Sequence, residues 1–329
     1  MQSLNEVNAS APAKIILLGE HFVVYGEPAI VLAIDKRAYA SVKMRRDCKI
    51  YINSTDLGIS GYFEKNRFTV EHGSQDTELK LQPVKTAVQR VLEIARKNVG
   101  VNVEIRSSIP VAAGLGSSAA VVAATAKAVS HLLNVELSNE HIFNITLESE
   151  RLVHGTPSGI DPTVTTYGGV LLFRKGKGFK RIDVKKDIPL IIGNTEIERS
   201  TGELVSMVGH KQEKYPSIIN PLIKAGGKTV LSAVSALENH DFTVLGELMN
   251  INHALLCALG VSNISLDKLV YAARKAGAFG AKLTGAGGGG CMIALSLPRK
   301  AKQIADAIEK ADGKAFGAKK SDEGVRIER

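Results

Sequence analysis

Short apolar runs separated by polar turns dominate the first third of the chain and predict β-strands. The runs at residues 13–18 and 29–34 are expected to form two strands joined by a turn that contains Gly19. Across residues 38–70, further β-like runs, the first at 38–44, alternate with Asn, Asp and Gly. We therefore expect the chain to begin with a sheet built from hairpins or a meander.

A helix, a strand and a glycine-rich loop are predicted next. Apolar residues recur at helical spacing over residues 84–97, and residues 101–105 then alternate between apolar and polar. The segment Pro110-Val-Ala-Ala-Gly-Leu-Gly-Ser-Ser-Ala-Ala leads into an Ala- and Val-rich stretch with high helix-forming content. Ser138 is a favourable N-cap for another helix that ends near residue 154, before a turn-rich segment.

The remainder of the chain alternates helical and strand-like patterns, which predicts an α+β domain. Strands are expected at residues 170–173 and 189–193, and the basic, glycine-rich segment 174–181 between them is expected to be an exposed connection. We place the domain boundary there, giving domains at residues 1–181 and 182–329. The later pattern predicts helices at 204–208, 218–237, 242–259 and 265–276 and strands at 281–283 and 291–295.

Composition and charge narrow the class of protein. The chain has 329 residues, of which 44% are hydrophobic and 23% charged, so it has enough apolar material for two globular domains. A net charge of +9 favours an anionic partner. The basic residues are dispersed, and the cluster Lys43, Arg45 and Arg46 has no aromatic residues interleaved for base stacking. A phosphorylated metabolite is therefore favoured over nucleic acid.

The cysteines and the first residues of the chain indicate the cellular compartment in which the protein is expected. The three cysteines form no Cys-x-x-Cys pair and show no histidine spacing typical of zinc, which argues against a disulfide framework or a metal knuckle. The first residues lack the basic-then-apolar order of a signal peptide, and no run approaches the ~18 apolar residues of a membrane span. We expect a cytoplasmic protein that does not contact a membrane.

Gly114-Leu-Gly-Ser-Ser lies where a loop becomes a helix, a position suited to phosphate binding. Backbone N–H groups and the positive end of the helix dipole favour an anion there, and Ser117 and Ser118 add hydroxyls for phosphate or a metal ion. The dinucleotide fingerprint Gly-x-Gly-x-x-Ala also fits, but Glu136 at the required distance is on a short connection and not a strand. Walker A and protein-kinase signatures are absent from the sequence.

Three further segments carry residues suited to phosphoryl chemistry. Thr284-Gly-Ala-Gly-Gly-Gly-Gly-Cys291 is too long for a hairpin turn and is expected either to lie against a ligand or to form a mobile tip. Glu150 and Asp161 flank a rigid turn that can bring one carboxylate to a metal and the other to a proton. Lys14 lies inside an apolar strand that ends at Glu20-His21, and a buried lysine needs a partner such as Asp161.

These segments, in this order, resemble the three signatures of the GHMP kinase superfamily. The signatures are Pro12-Ala-Lys-Ile-Ile-Leu-Leu-Gly-Glu-His, the segment from Pro110 to Ala120, and Lys282-Leu-Thr-Gly-Ala-Gly-Gly-Gly-Gly. Within the superfamily, residues 19–29 and 154–161 resemble the mevalonate kinase branch. Pro162 and Tyr167 depart from that branch, where Asn and Trp are more usual, and these departures bear on the shape of the substrate pocket.

The resemblance implies a fold and a reaction. The expected fold is α+β, with an N-terminal domain like ribosomal protein S5 and a ferredoxin-like C-terminal domain, and ATP and substrate in the cleft between them. The expected activity is ATP-dependent phosphorylation of the 5-hydroxyl of mevalonate, with Mg²⁺ as cofactor. Another GHMP kinase, acting on phosphomevalonate or homoserine, and a non-catalytic sensor of ATP and a metabolite remain alternatives. A homodimer is a further expectation that the family suggests.

The resemblance also implies roles for individual residues. Asp161 accepts or orients the proton of the substrate hydroxyl and Lys14 pairs with it, so both are expected to be catalytic. Ser118 and Glu150 hold Mg²⁺, while Glu20, His21 and Thr201 lie at the substrate with Asp161. The residues expected to wrap ATP are Pro110, Val111, Ala112, Ala113, Gly114, Leu115, Gly116, Ser117, Ser118, Ala119 and Ala120, and Gly285, Gly287 and Gly288 are expected to support them.

Overall fold

The structure of the chain is a computed structural model that describes residues 6–65, 67–74, 76–110, 113–154, 158–198 and 200–328. Two sheets organise these residues. The first is nine-stranded, with the order β13-β1-β2-β6-β3-β4-β5 and with β7 pairing to β2 and β8 to β7. Its strands are β1 (Val7–Leu18), β2 (Ala29–Arg45), β3 (Ile50–Ser54), β4 (Ile59–Glu64), β5 (Arg67–His72), β6 (Gly100–Ser107), β7 (Val170–Arg174), β8 (Gly178–Ile182) and β13 (Arg326–Glu328).

Four helices accompany the first sheet. The helix at Ser117–Leu132 packs directly onto β1 and β2 through small residues, and its residues Ala120, Ala123 and Ala124 are fully buried there. Small side chains let this helix approach the sheet closely, which brings the loop before it to the end of β1. The helices are α1 (Thr77–Ala95), α2 (Ser117–Leu132), α3 (Asn139–His154) and α4 (Ile160–Tyr167).

The second sheet has four antiparallel strands in the order β10-β11-β9-β12. Helices pack on it and around it, and a short 3-10 helix at Phe22–Tyr25 from the first half packs against them as well. The strands are β9 (Leu190–Asn194), β10 (Gly280–Leu283), β11 (Cys291–Leu295) and β12 (Lys314–Ala318). The helices are α5 (Thr201–Lys214), α6 (Pro216–Glu238), α7 (Phe242–Leu259), α8 (Ile264–Lys275) and α9 (Ala301–Glu309), with a second 3-10 turn at Pro298–Lys300.

Helix α7 is the one helix in the described part of the chain that is long and apolar enough to cross a membrane. Its apolar residues include Leu245, Met249 and Leu256, all fully buried, and the helix contacts α6 and β10. Other apolar residues of this helix, Val244 and Ile251, are exposed, so α7 packs on the domain by one face only.

Several sequence predictions were wrong in detail. Residues 174–181 are largely exposed, as expected, but they form the turn and second strand of a β-hairpin and not an irregular connection. Strands β7 and β8 pair antiparallel, with Val170 opposite Ile182 and Arg174 opposite Gly178. The two strands expected at 29–34 and 38–44 are one continuous strand, β2. Helix α4 was not predicted, since the turn residues before it suggested a loop. Helix α9 and strands β4, β12 and β13 were also missed.

The predicted domain division at residue 181 stays a prediction, and two features of the sheets bear on it. Strand β8 ends at Ile182 in the first sheet and β9 begins at Leu190 in the second, so the change of sheet lies close to the predicted division at 181. The end of the chain departs from that division, because β13 pairs antiparallel with β1. Buried Arg37 of β2 holds the segment before β13 by donating to the carbonyl oxygen of Gly324 at 2.6 Å.

Candidate functional site

Lys14 and Asp161 form an ion pair at the centre of the candidate active site. The Lys14 Nζ atom lies 3.1 Å from Asp161 Oδ1, and the two side chains are 8% and 26% exposed. Lys14 comes from β1, and Asp161 lies in the first turn of α4, where the helix dipole favours a negative charge. The structure therefore places together two residues that are 147 positions apart in the sequence and that the motifs assigned to one site.

The glycine-rich loop before α2 lies directly against this pair. The backbone N–H of Lys14 donates to the carbonyl oxygen of Leu115 at 2.9 Å. Gly116, the N-cap of α2, has φ +76°, and a Cβ there would lie 2.9 Å from Lys14 Cγ and 3.2 Å from Asp161 Oδ2. Only glycine fits this conformation and this space, so the sequence requirement for Gly116 has a local physical cause.

The N-terminus of α2 is available to an anion. No side chain of the described residues caps it, while Gly114 and Ser118 are exposed and Ser117 is half-buried. Its first backbone N–H groups lack intrahelical acceptors and carry the positive end of the dipole. Of the eleven residues predicted to wrap ATP, Val111 and Ala112 lie outside the described residues, and Ala113, Leu115, Ala119 and Ala120 are buried beneath the loop or the helix.

Glu150 adds a second carboxyl group to the same pocket. It is on α3 and 8% exposed, and burial together with the nearby charge of Asp161 raises its pKa to about 8, against the opposing effect of Lys14. A carboxyl group with such a pKa lacks enough positive charge around it. This is the environment in which a divalent cation would be stabilised, so the Glu150 carboxyl group fits a role as a ligand of the predicted Mg²⁺.

Glu20 is paired with a residue that the sequence interpretation did not identify. Lys282 Nζ donates to Glu20 Oε1 and, at 2.6 Å, to the carbonyl oxygen of Leu283, and both side chains are fully buried. Burial raises the pKa of Glu20 and lowers that of Lys282, and each charge opposes the shift of the other. Glu20 Oε2 is buried without a hydrogen-bond partner among the described residues.

His21 and Thr284 attach the second glycine-rich segment to the end of β1. His21 Nε2 lies 2.7 Å from the carbonyl oxygen of Ala286, which requires the proton on Nε2, and burial lowers the His21 pKa, which favours the neutral ring. The Thr284 hydroxyl donates to the Ile16 carbonyl oxygen at 2.8 Å and accepts from the Ile16 N–H at 3.2 Å. The segment therefore connects the two halves of the chain.

The glycine-rich segment at 285–290 is packed and is not a mobile tip, which removes one of the two expectations for it. Gly287 has φ +82°, and a Cβ there would lie 1.9 Å from the carbonyl oxygen of Val261. The Gly288 N–H donates to that carbonyl at 2.8 Å, and Asn263 Nδ2 donates to the Gly288 carbonyl oxygen at 2.8 Å. Gly285 also has a positive φ of +83°.

In the described part of the structure, Thr201 makes no hydrogen bond or ion pair with the other predicted residues. It is the exposed first residue of α5, after the N-cap Ser200, whose hydroxyl accepts from the Glu203 N–H. The missed residue Lys282 carried a usable signal, because a lysine inside the apolar strand β10 needs a buried partner. The same reasoning had identified Lys14.

Comparison with known proteins places the chain in a family. The model for the GHMP kinases N terminal domain matches residues 82–169, and the model for the GHMP kinases C terminal region matches residues 233–315. The chain belongs to the GHMP kinase family. The predicted α+β, two-domain GHMP kinase fold and the assignment to a kinase are thereby confirmed, and membership of this family implies the use of ATP.

The chain is similar to mevalonate kinases along nearly its whole length. A mevalonate kinase of Pyrococcus abyssi is 48% identical over 332 residues, which cover 98% of each chain. The crystal structure of L. major mevalonate kinase in complex with R-mevalonate has a TM-score of 0.83 at 28% identity and covers 95% of both chains. The mevalonate kinase of Methanococcus jannaschii has a TM-score of 0.81 at 30% identity, covering 97% of this chain and 99% of its own.

Proposed function

We propose that the chain transfers the terminal phosphoryl group of ATP to the 5-hydroxyl of mevalonate, giving 5-phosphomevalonate and ADP for isoprenoid biosynthesis. The observation that carries this proposal is the ion pair of Lys14 and Asp161, 3.1 Å apart, held against Gly116 at the N-terminus of α2. The choice of mevalonate is supported by the 48% identity to the Pyrococcus abyssi enzyme over 98% of both chains. We further propose that the enzyme acts in the cytoplasm.

The ion pair can act on the proton of the attacking hydroxyl and on the negative charge of the transferring phosphoryl group. The Asp161 carboxylate accepts the proton of the attacking hydroxyl or orients that hydroxyl, which aligns the nucleophile. The Lys14 ammonium keeps Asp161 ionised and stabilises negative charge on the transferring group. Because Lys14 is only 8% exposed, its charge acts where water screens it little.

The N-terminus of α2 and the Ser118–Glu150 donor set suit the phosphates and their cation. The exposed N–H groups after Gly116 bind phosphate oxygens, and Ser118 and Glu150 would hold Mg²⁺. When bound, that ion neutralises phosphate charge. Glu150 is suited to such a role because burial and Asp161 disfavour its charged form until a cation is present.

Glu20 and His21 are proposed to shape the acceptor side of the site, with Thr201 as a hydroxyl contributed by α5. Both Glu20 and His21 are buried against residues of the second half, namely Lys282 and the carbonyl of Ala286. Glu20 and His21 follow β1, six and seven residues beyond Lys14. The chain therefore links the acceptor side of the site directly to the Lys14–Asp161 pair.

An ADP-release assay with Mg²⁺ and ATP tests the proposal. The acceptors are mevalonate, phosphomevalonate, homoserine and galactose, and the product is identified by mass. We expect ADP release only with mevalonate, together with a stable monophosphate. Turnover only with another acceptor would keep the kinase mechanism and replace the substrate. Binding of ATP without turnover on any acceptor would indicate a sensor.

A further inference from the structure

A second cluster of potential ligands lies outside the candidate active site, at the junction of α7 and α8. His253 and Cys257 are one helical turn apart on α7, so their side chains share a face, and Asp267 lies in the first turn of α8. The loop between the helices is short, from the left-handed C-cap Gly260 to the N-cap Asn263. This tight connection brings one nitrogen, one sulfur and one oxygen donor within 4.8 Å of each other.

The distances between the three donor atoms match a single metal ion. His253 Nε2 lies 3.6 Å from Cys257 Sγ and 3.3 Å from Asp267 Oδ1, and the last two atoms are 3.8 Å apart. Tetrahedral zinc with ordinary bond lengths requires separations of about 3.6 Å for N–S, about 3.3 Å for N–O and about 3.5 Å for S–O. No rearrangement of the helices is needed for one ion to contact all three atoms.

The surroundings orient the Asp267 carboxylate and set the protonation of the other two donors. The Ser262 hydroxyl donates to Asp267 Oδ1 at 2.5 Å, which orients this carboxylate as supporting hydrogen bonds do in metal sites. Burial, with the charges of Arg274 and Lys282, lowers the His253 pKa to about 4, so the ring is neutral at physiological pH. Burial raises the pKa of Cys257, so a metal ion would have to displace the thiol proton.

One hydrogen bond competes with metal binding. The Leu283 N–H lies 3.4 Å from His253 Nδ1, which places the ring proton on Nε2, towards Asp267. An ion at Nε2 displaces that proton and requires the other tautomer, so the contact to Leu283 is given up. The nearby positive charges of Arg274 and Lys282 also oppose a cation, and a sulfur ligand must compensate for them.

We propose that His253, Cys257 and Asp267 form a binding site for a thiophilic divalent transition-metal ion of the Zn²⁺ class. The fourth position is open to solvent, because Cys257 is exposed and the Asp267 side chain is 52% exposed. Mg²⁺ is a poor occupant, since it prefers six oxygen ligands. The site is separate from the proposed Mg²⁺ donors Ser118 and Glu150.

The ion would clamp the loop that holds the second glycine-rich segment. The loop between Gly260 and Asn263 contributes the Val261 carbonyl to the Gly288 N–H and the Asn263 amide to the Gly288 carbonyl. Cys257 lies on the helix before this loop and Asp267 on the helix after it. One ion bound to both residues would restrict the movement of the loop. Metal occupancy is therefore expected to stabilise the segment that joins the two halves.

Cobalt binding to the reduced, EDTA-treated full chain without nucleotide tests the site directly. We expect one Co²⁺ per chain, with the near-ultraviolet charge-transfer absorption of a cobalt–thiolate bond and displacement by Zn²⁺ but not by excess Mg²⁺. Cys257→Ser should abolish this absorption, and Asp267→Asn should weaken binding about tenfold or more. Cys48→Ser is the matched control, because Cys48 is also exposed but lies elsewhere, and it should bind Co²⁺ as the unaltered chain does.

Two results would overturn the proposal. One is the absence of charge-transfer absorption with Co²⁺ in tenfold excess over the unaltered chain, and the other is the same absorption in Cys257→Ser. A thermal melt provides the independent check that the variants are folded. Zn²⁺ should raise the melting temperature of the unaltered chain and of Cys48→Ser, raise that of Asp267→Asn by less, and leave that of Cys257→Ser unchanged, whereas an equal rise in all four proteins would contradict the site.

Discussion

Lys14 contacts the candidate site through both its backbone and its side chain. The backbone N–H is bonded to Leu115 of the glycine-rich loop, the side chain is paired with Asp161, and the methylene chain packs where a Cβ of residue 116 would be. A change at any of these positions therefore alters the geometry of the others. At the scale of single residues, the site therefore depends on how these residues are placed relative to one another more than on any one of them.

Asp161→Asn should separate chemistry from folding. The amide keeps the shape of the side chain, and Asp161 is partly exposed, so the change is expected to leave the fold intact. Loss of the base and of the partner charge of Lys14 should lower kcat by about 10²–10⁴-fold with a smaller effect on the KM for ATP. Steady-state kinetics and circular dichroism check this, and a variant with nearly full kcat would remove Asp161 from the mechanism.

Glu150 should make stability depend on pH in the metal-free protein. With a pKa of about 8 in the folded state and 4.5 as the ordinary value, the native state retains a proton that the unfolded state releases. The free energy of unfolding therefore falls as pH rises from about 4.5 to 8, by on the order of a few kcal/mol. Glu150→Gln resembles the protonated form and should lose this slope.

Urea unfolding in EDTA at several pH values measures the difference between Glu150→Gln and the unaltered chain. Glu140→Gln provides the control, because Glu140 lies on the same helix but is exposed. The two variants should diverge above pH 4.5, with Glu150→Gln the more stable near pH 8. Parallel curves for Glu150→Gln and the unaltered chain would show that Glu150 is not held in its neutral form.

At the scale of elements, the second glycine-rich segment is held by backbone contacts that exclude side chains. Gly287→Ala combines a positive φ with a Cβ 1.9 Å from the Val261 carbonyl oxygen, so the segment must move. Gly176 is the matched control, because it has φ +73° but nothing within 4 Å of its Cβ position. Gly176→Ala should cost only the ~1–2 kcal/mol of the left-handed conformation.

The expected result is that Gly287→Ala lowers the free energy of unfolding by more than Gly176→Ala and also lowers kcat/KM. The reason is that the segment positions Ala286, whose carbonyl accepts from His21 at the end of β1. Chemical unfolding and the kinase assay measure the two effects. If both variants behaved alike, the close approach to Val261 would be of no consequence.

The elements also show how far the sequence predicts the fold and the site. Periodic, apolar segments such as α7 and β11 were predicted to the residue, because burial imposes their pattern. The pairing of β8 was missed because this strand is largely exposed, with only Ile182 buried, and carries no alternating signal. The Lys14–Asp161 pair followed from local motifs. The Glu20–Lys282 pair, whose members are 262 positions apart, was missed because a lysine inside an apolar strand shows that it needs a buried partner but not which acid supplies it.

At the scale of the whole molecule, the two halves are joined through buried polar contacts. Thr284→Val should leave the N–H and carbonyl of Ile16 without the hydroxyl that bonds both, costing about 1–3 kcal/mol. Thr146→Val is the control, because the Thr146 hydroxyl is equally buried but bonds only the Ile142 carbonyl of its own helix. Chemical unfolding should show the larger loss for Thr284→Val, and equal losses would contradict this role for Thr284.

The pairing of β13 with β1 has a consequence for how the chain folds. Asn8 is opposite Glu328, so the edge of the first sheet is completed only by residues that follow the entire second sheet. Such distant contacts slow folding, because a long loop must close before they form. A fragment that ended after β8 would expose β1 as an unpaired edge strand and would be prone to aggregate. The two halves are separate sheets in space but depend on each other during folding.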